Sequence, residues 1–144
     1  MLNDVGWTGG LMNWLLRLLE AGFRPVGQWR MVEGGPVCQL VSHGSSSDVL
    51  YAFVLDGDVM YVGKTAMPLS RRMYGYQKPG PTQRTNLANN RLISKALTAG
   101  RCVDVYALVA DGELMHHGFR VSLAAGLEDD LVRQLKPPWN KSGS

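Results

Sequence analysis

Two runs rich in Val, Leu, Phe and Tyr, residues 49–55 and 58–62, flank the dipeptide Asp56-Gly57. Asp-Gly between apolar runs is a strong hairpin signal, because a tight turn matching the strand twist needs positive φ and these two residues tolerate it. An antiparallel strand pair is therefore expected near the middle of the chain. The turn also decides where two tyrosines point. A two-residue loop at Asp56-Gly57 pairs Tyr51 with Val62, which puts Tyr51 and Tyr61 on opposite faces because side chains alternate along strands. A three-residue loop, Leu55-Asp56-Gly57, or a bulge, puts both on one face. If the tyrosines cooperate, the longer loop or the bulge is required.

Around this hairpin the other elements follow from periodicity and punctuation. Thr8 can cap a helix with apolar Leu11, Leu15, Leu18 and Leu19 and a stop at Gly22. Residues 26–32 and 37–41 read as a short hairpin around Glu33-Gly34-Gly35-Pro36, and 43–47 as a flexible connector. After Pro68 the pattern is helical to about Tyr76, and residues 77–85, with Pro79, Gly80 and Pro81, form a loop. Asn86 opens a helix that Gly100 closes, residues 103–109 make a third strand, and 111–118 make a turn region. Residues 121–135 form the last helix, with Ser122 as cap and Pro137-Pro138 as stop. The expected class is α+β: a small three-stranded antiparallel sheet flanked by helices, with a helix and hairpin in front. Residues 1–47 are read as an N-terminal extension and 48–144 as the chemical module.

At 144 residues, with 45% apolar and 19% charged residues, one globular core is expected, and it needs no disulfide. Cys38 and Cys102 lack metal-type spacing and are read as reduced, buried thiols. The apolar stretch 11–19 carries Arg17 and is too short to span a bilayer, and the N-terminus lacks signal-peptide order, so a cytoplasmic protein without a membrane partner is expected.

Charge is where the composition becomes uneven. The net charge is +3, yet from Lys64 to Val103 there are eight Lys or Arg and no Asp or Glu. Such a one-sign stretch suits a polyanion. Within the loop, Lys78 and Arg84 suit phosphates, and Gln83 and Asn86 suit base edges or backbone; Arg71 and Arg91 extend the basic surface.

With these residues placed, the second half of the chain, about residues 48–140, resembles the GIY-YIG nuclease family. Val49-Leu50-Tyr51 stands at the first motif, with Val49 where the name-giving glycine belongs, and Tyr61-Val62-Gly63 stands at the second. Arg72 is followed four residues on by Tyr76. Arg71 is a second candidate for the arginine, but only Arg72 has an aromatic at the fourth place, on the same helix face. Glu128 and Asn140, with Pro137-Pro138-Trp139 before the latter, match the family's glutamate and asparagine. Each element alone is weak, whereas the ordered set is specific.

The resemblance implies a metal-dependent DNA endonuclease using one Mg²⁺ or Mn²⁺, with Glu128 as the metal ligand. Phosphodiester hydrolysis requires charge neutralisation at phosphorus, an oriented water and a base for its proton. A single carboxylate suits Mg²⁺, which keeps several waters, and an arginine grips phosphate oxygens in a fork. By resemblance Tyr51 is the base, its pKa lowered from about 10 by Lys64 or a metal-bound water. Tyr61 and Tyr76 then orient the water or the phosphate, and Asn140 braces the site. Cutting both strands of duplex DNA takes two chains or two visits, which admits a homodimer on DNA. Two other classes fit the composition: a catalytically inactive nucleic-acid-binding module of the same fold, and a protein whose basic stretch docks an acidic partner. Adjacent His116-His117 is read as a surface pair, and Trp7, Trp14, Trp29 and Trp139 as space-filling, with Trp139 behind Asn140.

Overall fold

The computed structural model of the protein describes residues 13–109 and 114–140. In chain order the elements are α1 (Trp14–Ala21), β1 (Arg24–Val32), β2 (Gly35–Leu40), β3 (Val49–Leu55), β4 (Asp58–Thr65), α2 (Leu69–Gln77), α3 (Arg84–Thr98), β5 (Val103–Val109), β6 (Leu114–His116), β7 (Phe119–Val121) and α4 (Leu123–Leu135). The α+β class is as expected, but the sheet has five strands rather than three, in the order β2-β1-β5-β3-β4. The three expected strands lie side by side, and β1 adds to the open edge of β5, pairing Trp29 with Val103. An edge strand exposes unpaired N–H and C=O groups, and the N-terminal hairpin occupies that edge.

Helices cover both faces. Against one face pack Leu69, Met73 and Tyr76 of α2 and Ile93 and Ala96 of α3, meeting Tyr51, Phe53, Tyr61 and Val105. Against the other, Leu18 of α1 and Ala124 of α4 meet Leu50, Ala52, Val54 and Val62. All of β3 is buried as a result, which is why its sequence runs continuously apolar instead of alternating. Truncating a core residue such as Ile93 would cost about 2–5 kcal/mol.

The central turn resolves the tyrosine question. Asp56 (φ 48°) and Gly57 (φ 91°) form a two-residue loop, with Leu55 opposite Asp58. By itself that loop would separate the tyrosines. However, the register shifts after Val54–Val59, so that Phe53 faces Tyr61 and Tyr51 faces Gly63, leaving Met60 as an extra residue. The bulge, one of the two devices anticipated for cooperating tyrosines, brings them to one face.

Several boundaries differ from expectation. Asn13, whose Oδ1 accepts from Leu16 N at 3.0 Å, caps α1, which Gly22 ends with φ 112°; Thr8, Leu11 and Trp7 lie outside the described residues. The connector 43–47 is not loose: the carbonyls of Gly44 and Ser46 accept from Ser70 N and Leu69 N, satisfying first-turn donors of α2, which has no side-chain cap. Helix α3 begins at Arg84, two residues before the expected Asn86. Part of the expected turn region forms a ribbon, β6–β7, all of it exposed. Ser122 caps α4 as expected, its Oγ accepting from Ala125 N at 3.2 Å. Both cysteines are free, but Cys102 is exposed rather than buried; burial pushes the partly covered Cys38 thiol up to about 12. Among the described residues no helix is long and apolar enough to cross a membrane.

Candidate active site

Tyr51, Arg72 and Tyr76, dispersed in sequence, meet on the α2 face of the sheet. Leu69, Met73 and Tyr76 are the buried residues of α2 and seat it on the tyrosines. Arg72 and Tyr76 project together because they are four residues apart on this helix. Gly63 makes the seating possible. It lies opposite Tyr51, and a Cβ there would come within 2.7 Å of Tyr51 Oη and 2.9 Å of Tyr61 Cε2.

The polar bonds of this cluster are short. Tyr51 Oη and Tyr76 Oη are 2.6 Å apart. Arg72 Nε donates to Tyr51 Oη at 3.1 Å, Nη2 to Tyr76 Oη at 2.7 Å, and Nη1 to Asn86 Oδ1 at 2.9 Å. The guanidinium also lies 4.2 Å from the Tyr76 ring centroid, a cation–π contact. Arg71 is exposed and bonds neither phenol, whereas Arg72 bonds both.

Tyr51 is 1% exposed. Burial drives its pKa well above the usual phenol value, and the nearby Arg72 charge only partly opposes this. Tyr76 is shifted the same way, again chiefly by burial. The expectation that Lys64 lowers the Tyr51 pKa is not met. Lys64 pairs with Leu50 in the ladder, whose side chain packs toward α1 and α4, so Lys64 projects from the opposite face. The phenols also have a proton to spare. Arg72 can only donate, and one phenol O–H can bond the other, so the second phenol proton has no protein acceptor among the described residues. Either an added acceptor or loss of that proton completes the hydrogen bonding.

Tyr61 is 8% exposed and stacks on Phe53 with centroids 5.5 Å apart. Its hydroxyl makes no hydrogen bond within the described residues and is not sealed from solvent, so it can meet a water or an anion. Asn140 closes the outer edge of β4: Val62 N donates to its Oδ1 at 2.9 Å, and its Nδ2 donates to Val62 O at 2.8 Å. A single side chain thus takes the place of a neighbouring strand. Trp139 N donates to Met60 O at the bulge, and the Trp139 ring is buried in the same core as the tyrosines.

Glu128 and Lys64 form a separate pair, with Lys64 Nζ 3.7 Å from Glu128 Oε1 and side chains 49% and 23% exposed for Lys64 and Glu128. Glu128 lies mid-way along α4, whose first turn contains no acid, so a helix-dipole role does not account for it. Neither residue bonds the tyrosine–arginine cluster. Among the described residues no three His, Cys, Asp or Glu gather as a metal cage. The partly exposed Glu128 carboxylate, with one loose ammonium contact, fits a cation held through one protein ligand and water, as Mg²⁺ is. His116 and His117 are exposed, with rings 4.6 Å apart, and among the described residues no third ligand joins them.

The basic side chains divide by role. Arg71, Lys78, Arg84 and Arg91 are exposed, and Arg84, Arg91 and Lys95 share one face of α3. Asn86 departs from its expected place as a DNA contact: it is 8% exposed and its amide is engaged by Arg72 and Gln83. The earlier start of α3 turns it inward. Asn90 was not singled out from sequence; its Nδ2 donates to Tyr76 O at 2.8 Å and ties α3 to α2. Its spacing of four from Asn86 is the signal that could have revealed it.

No known family profile matches this chain, and no curated protein matches it in sequence. Solved structures do match. A mutant of bacteriophage T4 EndoII aligns with a TM-score of 0.68 at 20% identity, over 90% of this chain and 98% of the phage protein. Restriction endonuclease HPY188I, solved in complex with product DNA, aligns with a TM-score of 0.55 at 15% identity, over 91% of this chain and 83% of that one. The chain therefore has the fold seen in these two endonuclease structures.

Proposed function

We propose that the protein is a DNA endonuclease of GIY-YIG type, dependent on Mg²⁺ or Mn²⁺, which acts in the cytoplasm. It hydrolyses phosphodiester bonds by a one-metal route to 5′-phosphate and 3′-hydroxyl ends. The observation that carries this reading is the Arg72 guanidinium held by two buried phenols, on a fold shared with two endonucleases. One N–H on each Nη of Arg72 remains for a phosphate oxygen, so the fork is already oriented when substrate arrives. The spare phenol proton can be donated to a phosphate oxygen. For Tyr51 to act as base it must first give that proton up, a step that burial opposes and Arg72 favours. Tyr61 Oη orients the water, and Asn140 keeps β4 straight beneath it. Glu128 would hold the cation, which supplies charge neutralisation at the phosphate and a more acidic water; Lys64 is its counter-charge.

Residues 48–144 include every one of these groups, and β1 and β2, from the segment before them, extend their sheet. Arg71, Lys78, Arg84 and Arg91 hold double-stranded DNA by phosphate contacts, with two chains meeting on one duplex for two-strand cutting. The test is cleavage of supercoiled plasmid with Mg²⁺ or Mn²⁺, beside EDTA and Glu128→Ala. Metal-dependent nicking lost in the variant is expected. A wild type that binds DNA but never cuts would replace the nuclease with the inactive binding module.

A further inference from the structure

Beneath the exposed loop 78–83 runs a chain of hydrogen bonds that ends on Arg72. Gly80 N donates to Gln83 Oε1 at 2.7 Å, Asn86 Nδ2 donates to the same oxygen at 3.1 Å, and Asn86 Oδ1 accepts from Arg72 Nη1 at 2.9 Å. Its direction is fixed chemically. A guanidinium has no acceptor, so Asn86 must present its oxygen to Arg72 and therefore its NH₂ to Gln83. Gln83 must then turn its oxygen inward, where it also receives the backbone N–H of Gly80. Space is tight along the route: a Cβ on Gly80 would stand 3.2 Å from Gln83 Cδ, and one on Gly75 would stand 3.3 Å from Asn86 Nδ2.

Gln83 occupies the N-cap position of α3, yet its side chain bonds no helix N–H. It folds back onto the loop instead. The loop opens after α2 with exposed Lys78, and Arg84, also exposed, follows Gln83 directly. A polyanion gripped by Lys78 and Arg84 thus bears on a segment wired to the arginine.

We infer that Gln83 and Asn86 are positioning residues that couple the conformation of the 78–83 loop to the orientation of Arg72, so that cleavage proceeds fully only when DNA holds the loop. This rests on the nuclease reading and assigns Gln83 and Asn86 a role other than direct DNA contact. Because a small misplacement of a catalytic group lowers rate more than binding, the signature is in kcat.

The test uses Gln83 in the full-length protein, because its exposed side chain can be replaced without opening the core. Gln83 serves only as an acceptor, so Gln83→Glu preserves both bonds and Gln83→Ala removes both. Single-turnover cleavage is expected to fall about 10- to 100-fold in Gln83→Ala, with KM little changed, and to recover most of that loss in Gln83→Glu. An unchanged kcat in Gln83→Ala, or no recovery in Gln83→Glu, overturns the inference. So does a rise in KM alone, which is what loss of a DNA contact would give. The Arg72 side-chain ¹⁵N resonances are recorded on the same three proteins without DNA. They are expected to shift in Gln83→Ala and to stay near wild type in Gln83→Glu; identical spectra overturn the coupling. If the wild type does not cut DNA, the nuclease reading fails by itself, and the resonances alone decide whether the loop positions Arg72.

Discussion

The two faces of β4 hold the candidate chemistry under opposite physical conditions. On the α2 face, Tyr51, Tyr76 and Arg72 form a buried network in which almost every polar atom has a partner. On the α4 face, Lys64 and Glu128 form a long, partly exposed ion pair. Burial makes the first group rigid and raises the cost of disturbing it, because an unpaired polar group shielded from water loses its hydration without return. The second group is weakly held, and an exposed pair contributes little to stability. The difference teaches that one candidate site can combine a stability-critical half with a half that is energetically free to bind an ion.

The sharpest test of this contrast is a double comparison. Both Arg72→Ala and Glu128→Gln are expected to reduce cleavage by at least about 100-fold, measured as plasmid nicking rate. Only Arg72→Ala should also destabilise the fold, by about 2–3 kcal/mol in urea unfolding, while Glu128→Gln stays within about 0.5 kcal/mol of wild type. Equal stability losses would break the comparison.

Gly63→Ala addresses the α2 face alone. The added methyl meets Tyr51 and Tyr61 at distances no real Cβ shows, and the Tyr51 phenol cannot swing away without breaking its bonds to Arg72 and Tyr76. A loss of about 1–3 kcal/mol is expected, with an unchanged m-value in the same urea titration.

Alkaline pH should separate the faces without mutation. Tyr51 and Tyr76 have folded-state pKa values above the unfolded value, so the folded protein retains protons that the unfolded chain releases. Their contribution is full below pH about 10 and is lost as pH rises from there toward the folded pKa values. The thermal midpoint is therefore expected to fall above that pH, and phenolate absorbance should show two of the five tyrosines ionising only on unfolding. A Tyr51→Phe variant should flatten the fall. If all five titrate in the folded protein, solvent reaches the Tyr51–Tyr76 pair and burial does not protect it.

The smallest effect is expected on the exposed basic surface. Arg84→Ala or Arg91→Ala should each reduce the slope of log DNA affinity against log salt by about 1 and leave stability within about 0.5 kcal/mol. A slope that does not change would remove that arginine from the DNA surface.

Much of this arrangement was legible in the chain. Asp56-Gly57 announced its hairpin, Ser122 its helix, and the Arg72–Tyr76 spacing its shared face, because each depends on neighbours within a turn or two. The five-stranded sheet was less legible, since nothing in residues 24–40 states which edge they join. Asn86 is expected to face DNA because it ends a donor-rich loop broken by Pro79, Gly80 and Pro81; instead α3 begins two residues earlier and the tertiary contact with Arg72 turns it inward.

The sequence by itself determined the hairpin, the order of the chemical residues and the one-sign charge of the stretch after Lys64. Tertiary structure alone decided which residues meet. One extra residue, Met60, placed Tyr51 and Tyr61 together and put Lys64 on the far side, because strand side chains alternate with a period of two and a single insertion reverses every later assignment. Asn140 reaches Val62 across 78 positions of chain, a contact set by packing of the final turn against an open strand edge. Local preference carries no record of such a pairing, since its free energy arises only when distant segments have already come together.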